Sequence, residues 1–108
     1  MLTIIQKAEK LVGYLKIQSR QSDTVIDNML DKLFDRERQR LLIQQDEWRN
    51  ELTQFEEQYQ LSSADFYQKF ARGEMGDEID FVDWAAAWRV YQTILRSLNF
   101  VSLEIISS

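Results

Sequence analysis

Residues 14 to 72 contain neither glycine nor proline, and proline is absent from all 108 residues. The three glycines are Gly13, Gly73 and Gly76. A β-sandwich or barrel needs turn residues every few positions. A chain so short of them is restricted to long helices with few breaks. Its length suits one domain with a modest core. With 44% hydrophobic and 29% charged residues, it has the composition of a globular protein rather than a disordered one.

Periodicity then places the helices. Ile4, Ile5, Ala8, Leu11, Val12 and Leu15 recur at spacings of three and four, one face of a helix over residues 2–17. Leu15 and Ile17 also alternate with polar neighbours, so a strand over Tyr14 to Gln18 is the alternative. Gln18 to Ser22 reads as a polar linker. Thr24, with Asp27 three residues on, is the expected cap of a second helix, and Ser22 is a rival. The strongest pattern follows: Val25, Ile26, Met29, Leu30, Leu33, Phe34, Leu41, Leu42, Trp48, Leu52, Phe55 and Tyr59. In heptads, Phe34, Leu41, Trp48 and Phe55 share one core position, whereas Asp31, Arg38, Gln45, Leu52 and Tyr59 share the other. The second set is half polar, which argues against a parallel coiled coil and for one arm of an antiparallel hairpin.

Ser62, with Asp65 three residues later, marks a short helix carrying Phe66, Phe70 and Ala71, stopped by Gly73. Glu74 to Ile79 is the clearest loop, shaped by Gly73 and Gly76. Asp80 is the expected cap of the last helix, with Asp83 in its first turn. Phe81, Trp84, Ala85, Trp88, Tyr91, Leu95, Leu98 and Ser102 mark its inner face, and a short terminal strand over Phe100 to Ile106 is the alternative to a continued helix. The expected fold is therefore all-α, an elongated antiparallel hairpin or bundle in a single domain. Its parts are a basic segment 1–22, a long helix 23–60, a short helix 62–72 and a C-terminal helix 80–106. A helix over residues 24–60 would span about 55 Å, against about 34 Å for a compact sphere of this size. It must protrude, kink near Gln39 to Gln45, or lie against a homodimer mate or another partner.

The absences bear on function. Without cysteine there is no disulfide or thiolate site, and without histidine the commonest general base and metal ligand are gone. Asp77, Glu78, Asp80 and Asp83, with Glu74 nearby, lack the alternation and glycine of a calcium loop, so helix capping and solvation account for them, and no metal or cofactor is expected. A small helical hairpin offers little cleft for paired carboxylates, so no enzyme is expected. The start lacks the apolar stretch and cleavage site of a signal peptide, and no run reaches the ~20 apolar residues of a membrane span. The expected location is cytoplasmic.

The net charge is −5. Lys7, Lys10, Lys16 and Arg20 stand against Glu9 alone in residues 1–22, and the remainder is acidic. An acidic body disfavours nucleic acid. Trp48, Trp84, Trp88 and the neighbouring tyrosines and phenylalanines read mainly as core, with one or two as interface anchors.

The stretch Phe66-Tyr67-Gln68-Lys69-Phe70-Ala71-Arg72-Gly73-Glu74-Met75-Gly76-Asp77-Glu78-Ile79-Asp80-Phe81-Val82-Asp83-Trp84 resembles a pattern in short helical bacterial proteins, widespread in cyanobacteria: a serine pair, then F-Y-x-x-F-x-x-G-E-x-G-D-x-x-D-F-x-x-W. Leu30-Asp31-Lys32-Leu33 and Phe55-Glu56-Glu57-Gln58-Tyr59 are similar to that family too, extending the resemblance to about residues 29–98. Some members are encoded beside small toxin-like proteins, so the resemblance implies an antitoxin role. The expectation is a non-catalytic interaction module whose acidic surface covers another protein, such as a small basic toxin. Asp77, Asp80, Trp84 and Trp88 are the expected contact residues. The alternatives are a structural homo-oligomer and a metal-responsive regulator.

Overall fold

A computed structural model describes residues 1–18 and 23–102, and every regular element among them is a helix. The order is α1 (Ile4–Gln18), α2 (Thr24–Tyr59), α3 (Ser63–Ala71) and α4 (Ile79–Ser102). The chain forms two compact units, Met1–Leu33 and Phe34–Ser108, and α2 runs unbroken through the boundary. No break occurs near Gln39 to Gln45.

In the first unit, α1 opens with a reciprocal capping box. Thr3 Oγ1 accepts from the Gln6 amide at 3.1 Å, and Gln6 Oε1 accepts from the Thr3 amide at 2.9 Å. Helix continues through Tyr14 to Gln18, so the strand alternative is displaced and Gln18 belongs to α1 rather than to a linker. Positions 19–22 lie outside the described residues, Ser22 among them. The cap of α2 is Asp23, not Thr24: Asp23 Oδ1 accepts from the amides of Val25 at 3.0 Å and Ile26 at 3.2 Å. A carboxylate there satisfies two orphan donors and also meets the positive end of the helix dipole, which a hydroxyl does less well. No residue of α1 is buried, and Val25 and Met29 at the start of α2 stay exposed.

The second unit holds the core: Leu52 from α2, Phe66 from α3, and Trp84, Ala85 and Ala87 from α4. Tyr59 packs on Phe81 and Phe55 on Trp84, while Leu41 and Ile94 line one depression towards the other end, so this part of α2 runs antiparallel to α4. Trp84 is fully enclosed. Its ring stacks on Phe66 with centroids 3.9 Å apart and planes 4° apart, and on Phe55 at 5.5 Å. Its Nε1–H donates to Ser63 Oγ at 2.9 Å, and the Ser63 amide donates to Glu56 Oε2 at 2.9 Å. One indole thus fixes three helices, with its single polar atom satisfied inside the core. On α4 the buried residues include Ala87 and Ile94, which the aromatic periodicity did not single out, while Tyr91, Leu95 and Leu98 are only half-buried.

Two helix ends shape the connections. Ser62 caps α3, its Oγ accepting from the Asp65 amide, as its sequence position suggests. At the other end Gly73 takes φ 76°, with amide bonds from Gly73 to the Phe70 carbonyl and from Glu74 to the Lys69 carbonyl. That is the Schellman arrangement, which needs a left-handed residue. Gly76 also has positive φ, at 80°, so both glycines shape the loop as expected. At the end of α2 the same position falls to Gln60, at φ 52°, with the Leu61 amide reaching back to the Glu56 carbonyl and Leu61 packed against the core. A side chain is disfavoured in this conformation.

α4 begins at Ile79, with the Phe81 and Val82 amides both donating to the Glu78 carbonyl at 3.0 Å. Glu78 therefore stands at the cap position and Asp80 lies one residue inside the helix, a correction to the expected Asp80 cap. The helix is described to Ser102, and the terminal strand alternative falls partly on residues outside those described.

Trp84→Ala is expected to cost about 3–5 kcal/mol, measured by urea denaturation, because it removes the ring and strands the Ser63 hydroxyl. Gln60→Gly is expected to gain about 1 kcal/mol in the same measurement, since it relieves the one left-handed side chain among the described residues.

Candidate functional site

The second unit carries an open groove between α2 and α4. Its larger part, about 510 Å³, is lined by Glu47, Trp48, Glu51 and Phe55 from α2 and by Asp83, Ala86, Ala87 and Val90 from α4. A second part of about 430 Å³ shares Trp48 and Val90 and continues along Leu41, Gln44, Arg89, Thr93, Ile94 and Ser97. The local sequence explains the depression. Trp48 and Phe55 project from α2 against a stretch of α4 where Ala86 and Ala87 are too small to fill the space. Helix spacing follows the side chains at the contact, and large facing small leaves a trough.

Chemistry divides the groove. The floor of the larger part is aromatic and aliphatic, and its rim is three exposed carboxylates: Glu47, Glu51 and Asp83. No basic side chain lines that part, and none of the three joins an ion pair among the described residues. Glu47 and Glu51 are four residues apart on one helix face, an arrangement that costs a few tenths of a kcal/mol when uncompensated. Arg89 borders the second part, held over the Tyr67 ring at 5.9 Å with a contact of 3.4 Å to its hydroxyl.

The residues singled out from sequence fall elsewhere. Asp77 is exposed in the loop. Asp80 is half-buried, its Oδ2 accepting from the Tyr59 hydroxyl at 2.6 Å. Trp88 is half-buried beside Tyr67 and Tyr91. Trp84 is sealed in the core, so its side chain offers no surface to a partner, which corrects its expected role. None of the four lines the groove. Among the described residues no three acidic side chains converge as metal ligands. Most of the motif Phe66 to Trp84 is accounted for by packing and turns: Phe66, Phe70, Phe81 and Trp84 meet at the core, and Gly73 and Gly76 turn the chain. A signal for the groove was present in the sequence as Glu47-Trp48 with Glu51, an acidic pair flanking a tryptophan, but the facing alanines show only in the packed pair.

The bond from Tyr59 ties α2 to the start of α4 beside Glu78. It raises the Tyr59 hydroxyl above its ordinary 10.0, chiefly because the hydrogen bond to Asp80 holds the proton, with burial and the charges of Asp80 and Glu78 adding to the effect.

No family model, curated protein or solved structure matches this chain. Its class therefore rests on the fold: the described residues form four helices and no strand, an all-α arrangement with a long second helix. No described helix is long and apolar enough to cross a membrane.

A raised Tyr59 value means that the folded state keeps a proton the unfolded chain loses above pH 10. The stabilisation is complete below that pH and falls away as pH rises through the folded value. Tyr59→Phe is expected to lower the melting temperature at pH 7 and to show a shallower decline than the parent above pH 10, read by circular dichroism.

Proposed function

We propose that this protein is a non-catalytic binding module of the cytoplasm, which takes a basic segment of another protein into the α2–α4 groove, in the manner of an antitoxin covering a small basic toxin. The observation that carries the reading is the groove itself: an apolar floor of Trp48, Phe55 and Val90 under three carboxylates with no ion-pair partner among the described residues. Apolar contact supplies affinity in such a groove, and the rim supplies steering and selection for positive charge. The net charge of −5 acts in the same direction at longer range. The resemblance to short bacterial helical proteins, some of them encoded beside small toxin-like proteins, agrees with this reading.

A second reading, a structural homo-oligomer, is favoured by one observation: none of the described residues of the first unit is buried, although α1 and the start of α2 carry Ile4, Ile5, Leu11, Val12, Val25 and Met29. The metal-responsive alternative has no such observation in its favour.

Capture from an extract of the native host tests the main reading. The parent protein is expected to retain a basic protein that the triple variant E47K/E51K/D83K retains at least about tenfold less, equivalent to 1.4 kcal/mol spread over three rim charges. Equal retention by both proteins would remove the groove from the account.

A further inference from the structure

Resting on that reading of the groove, we propose that the segment it takes is a basic amphipathic helix of about four turns, with two lysines or arginines four residues apart on the edge that faces Glu47 and Glu51. The backbone decides for a helix. Both walls of the groove are helices, α2 and α4, whose main-chain groups are spent in their own turns. Neither wall offers a free edge to an extended strand. An extended segment laid on Trp48, Phe55 and Val90 would hold its amides and carbonyls unpaired against apolar side chains. A helix brings its backbone bonds with it. The same pair of helices already accepts one on its other flank. There α3 sets Phe66 against Phe81, and Ser63 between Glu56 and Trp84. Glu56 stands five residues from Glu51, about 140° round α2, and Phe81 stands nine from Val90, about 180° round α4. No residue of α3 lines the groove. The groove is thus the second seam of one helix pair. Its lining from Leu41 to Phe55 runs about 21 Å along α2, the length of a helix of about four turns.

Charge sets the pattern on that helix. Glu47, Glu51 and Asp83 are exposed and have no ion-pair partner among the described residues. Glu47 and Glu51 are separated by about 6 Å of rise along α2, the same rise that separates any two helical side chains four apart. A helix lying along α2 therefore meets both carboxylates with cations at i and i+4. Asp83, on the α4 wall, takes one more cation on the opposite edge. Lysine or arginine stems cover the margins of Trp48 and Phe55 while their charged heads reach the rim. No carboxylate lines the second part of the groove, where Arg89 stands with Gln44, Thr93 and Ser97. Cations are thus favoured over one half of the bound helix and disfavoured over the other. The basic end lies at Phe55 and Asp83, and the neutral or acidic end at Leu41 and Ser97.

Synthetic helices test this on the full chain. The probe is a peptide of about four turns with a leucine stripe. Two lysines at i and i+4 stand on one edge of its basic half, a third stands on the other edge, and a glutamate lies at the far end. Two isomers keep its composition and charge except for one change each: the first moves a lysine from i+4 to i+2, off the edge, and the second carries a central proline. By calorimetry the probe is expected to bind at least about tenfold more tightly than either isomer, and E47K/E51K/D83K is expected to weaken the probe by a similar factor. Circular dichroism verifies that the rim variant stays helical. A spin label on the basic end of the probe should broaden the amide signals of Glu51 and Asp83, and one on the far end those of Leu41 and Ser97. If the proline isomer binds as well as the probe, the helix is overturned and a groove for basic segments stands. A probe that does not bind, or whose labels broaden the opposite signals, also overturns the proposal, and the groove reading then stands only if the rim variant has lost its captured host protein. A probe that binds the rim variant undiminished overturns both.

Discussion

The second unit depends on where one indole goes. Trp84 lies against Phe66 and Phe55 and gives its only polar hydrogen to Ser63, whose own amide is held by Glu56. Three helices are set by that chain of contacts, and each polar atom in it is satisfied. Burying an indole without a partner for its N–H would carry a desolvation cost comparable to the gain from packing. The position of Ser63, one residue past the cap of α3, is therefore as much a part of the core as the rings. The cap at Ser62 and the acceptor at Ser63 explain why two adjacent serines stand there.

Filling the centre with aromatic rings has a consequence at the flank. Where Trp84 and Phe55 meet, the two long helices are well packed. One turn further along α4, Ala86 and Ala87 face Trp48, and the space between the helices is left open on one side. The groove is thus a by-product of the same size alternation that makes the core tight, and its acid rim comes from positions that are exposed on both helices. A site formed in this way sits on rigid elements and needs no loop to hold it.

The first unit has the opposite character. Its helices are well started, with the Thr3–Gln6 box and the Asp23 cap, but none of its described residues is buried. Local hydrogen bonds specify where a helix begins, whereas burial supplies most of its stability. Here α1 has its local start signals and an apolar stripe, with no residue buried.

Much of this architecture was legible in the residues alone. The want of glycine and proline from residue 14 to 72 imposed helices, the spacing of apolar residues located all four, and Ser62, Gly73 and Gly76 marked ends and turns, because capping and left-handed φ are local properties of a few neighbouring atoms. Other local details were misjudged by one or two residues, Asp23 for Thr24 and Glu78 for Asp80, since several acceptors compete for the same amides and only the settled backbone selects one. The function of individual tryptophans was not legible at all. Periodicity puts Trp48, Trp84 and Trp88 on inward faces alike, yet one is sealed, one floors a groove and one lies half open, according to what the opposite helix presents. By itself the sequence determined that this protein is helical, acidic and without histidine or thiol chemistry. Only the tertiary structure decided which side chains share a surface, because the groove joins residues more than thirty positions apart, such as Glu51 and Asp83, whose nearness depends on antiparallel packing around Trp84.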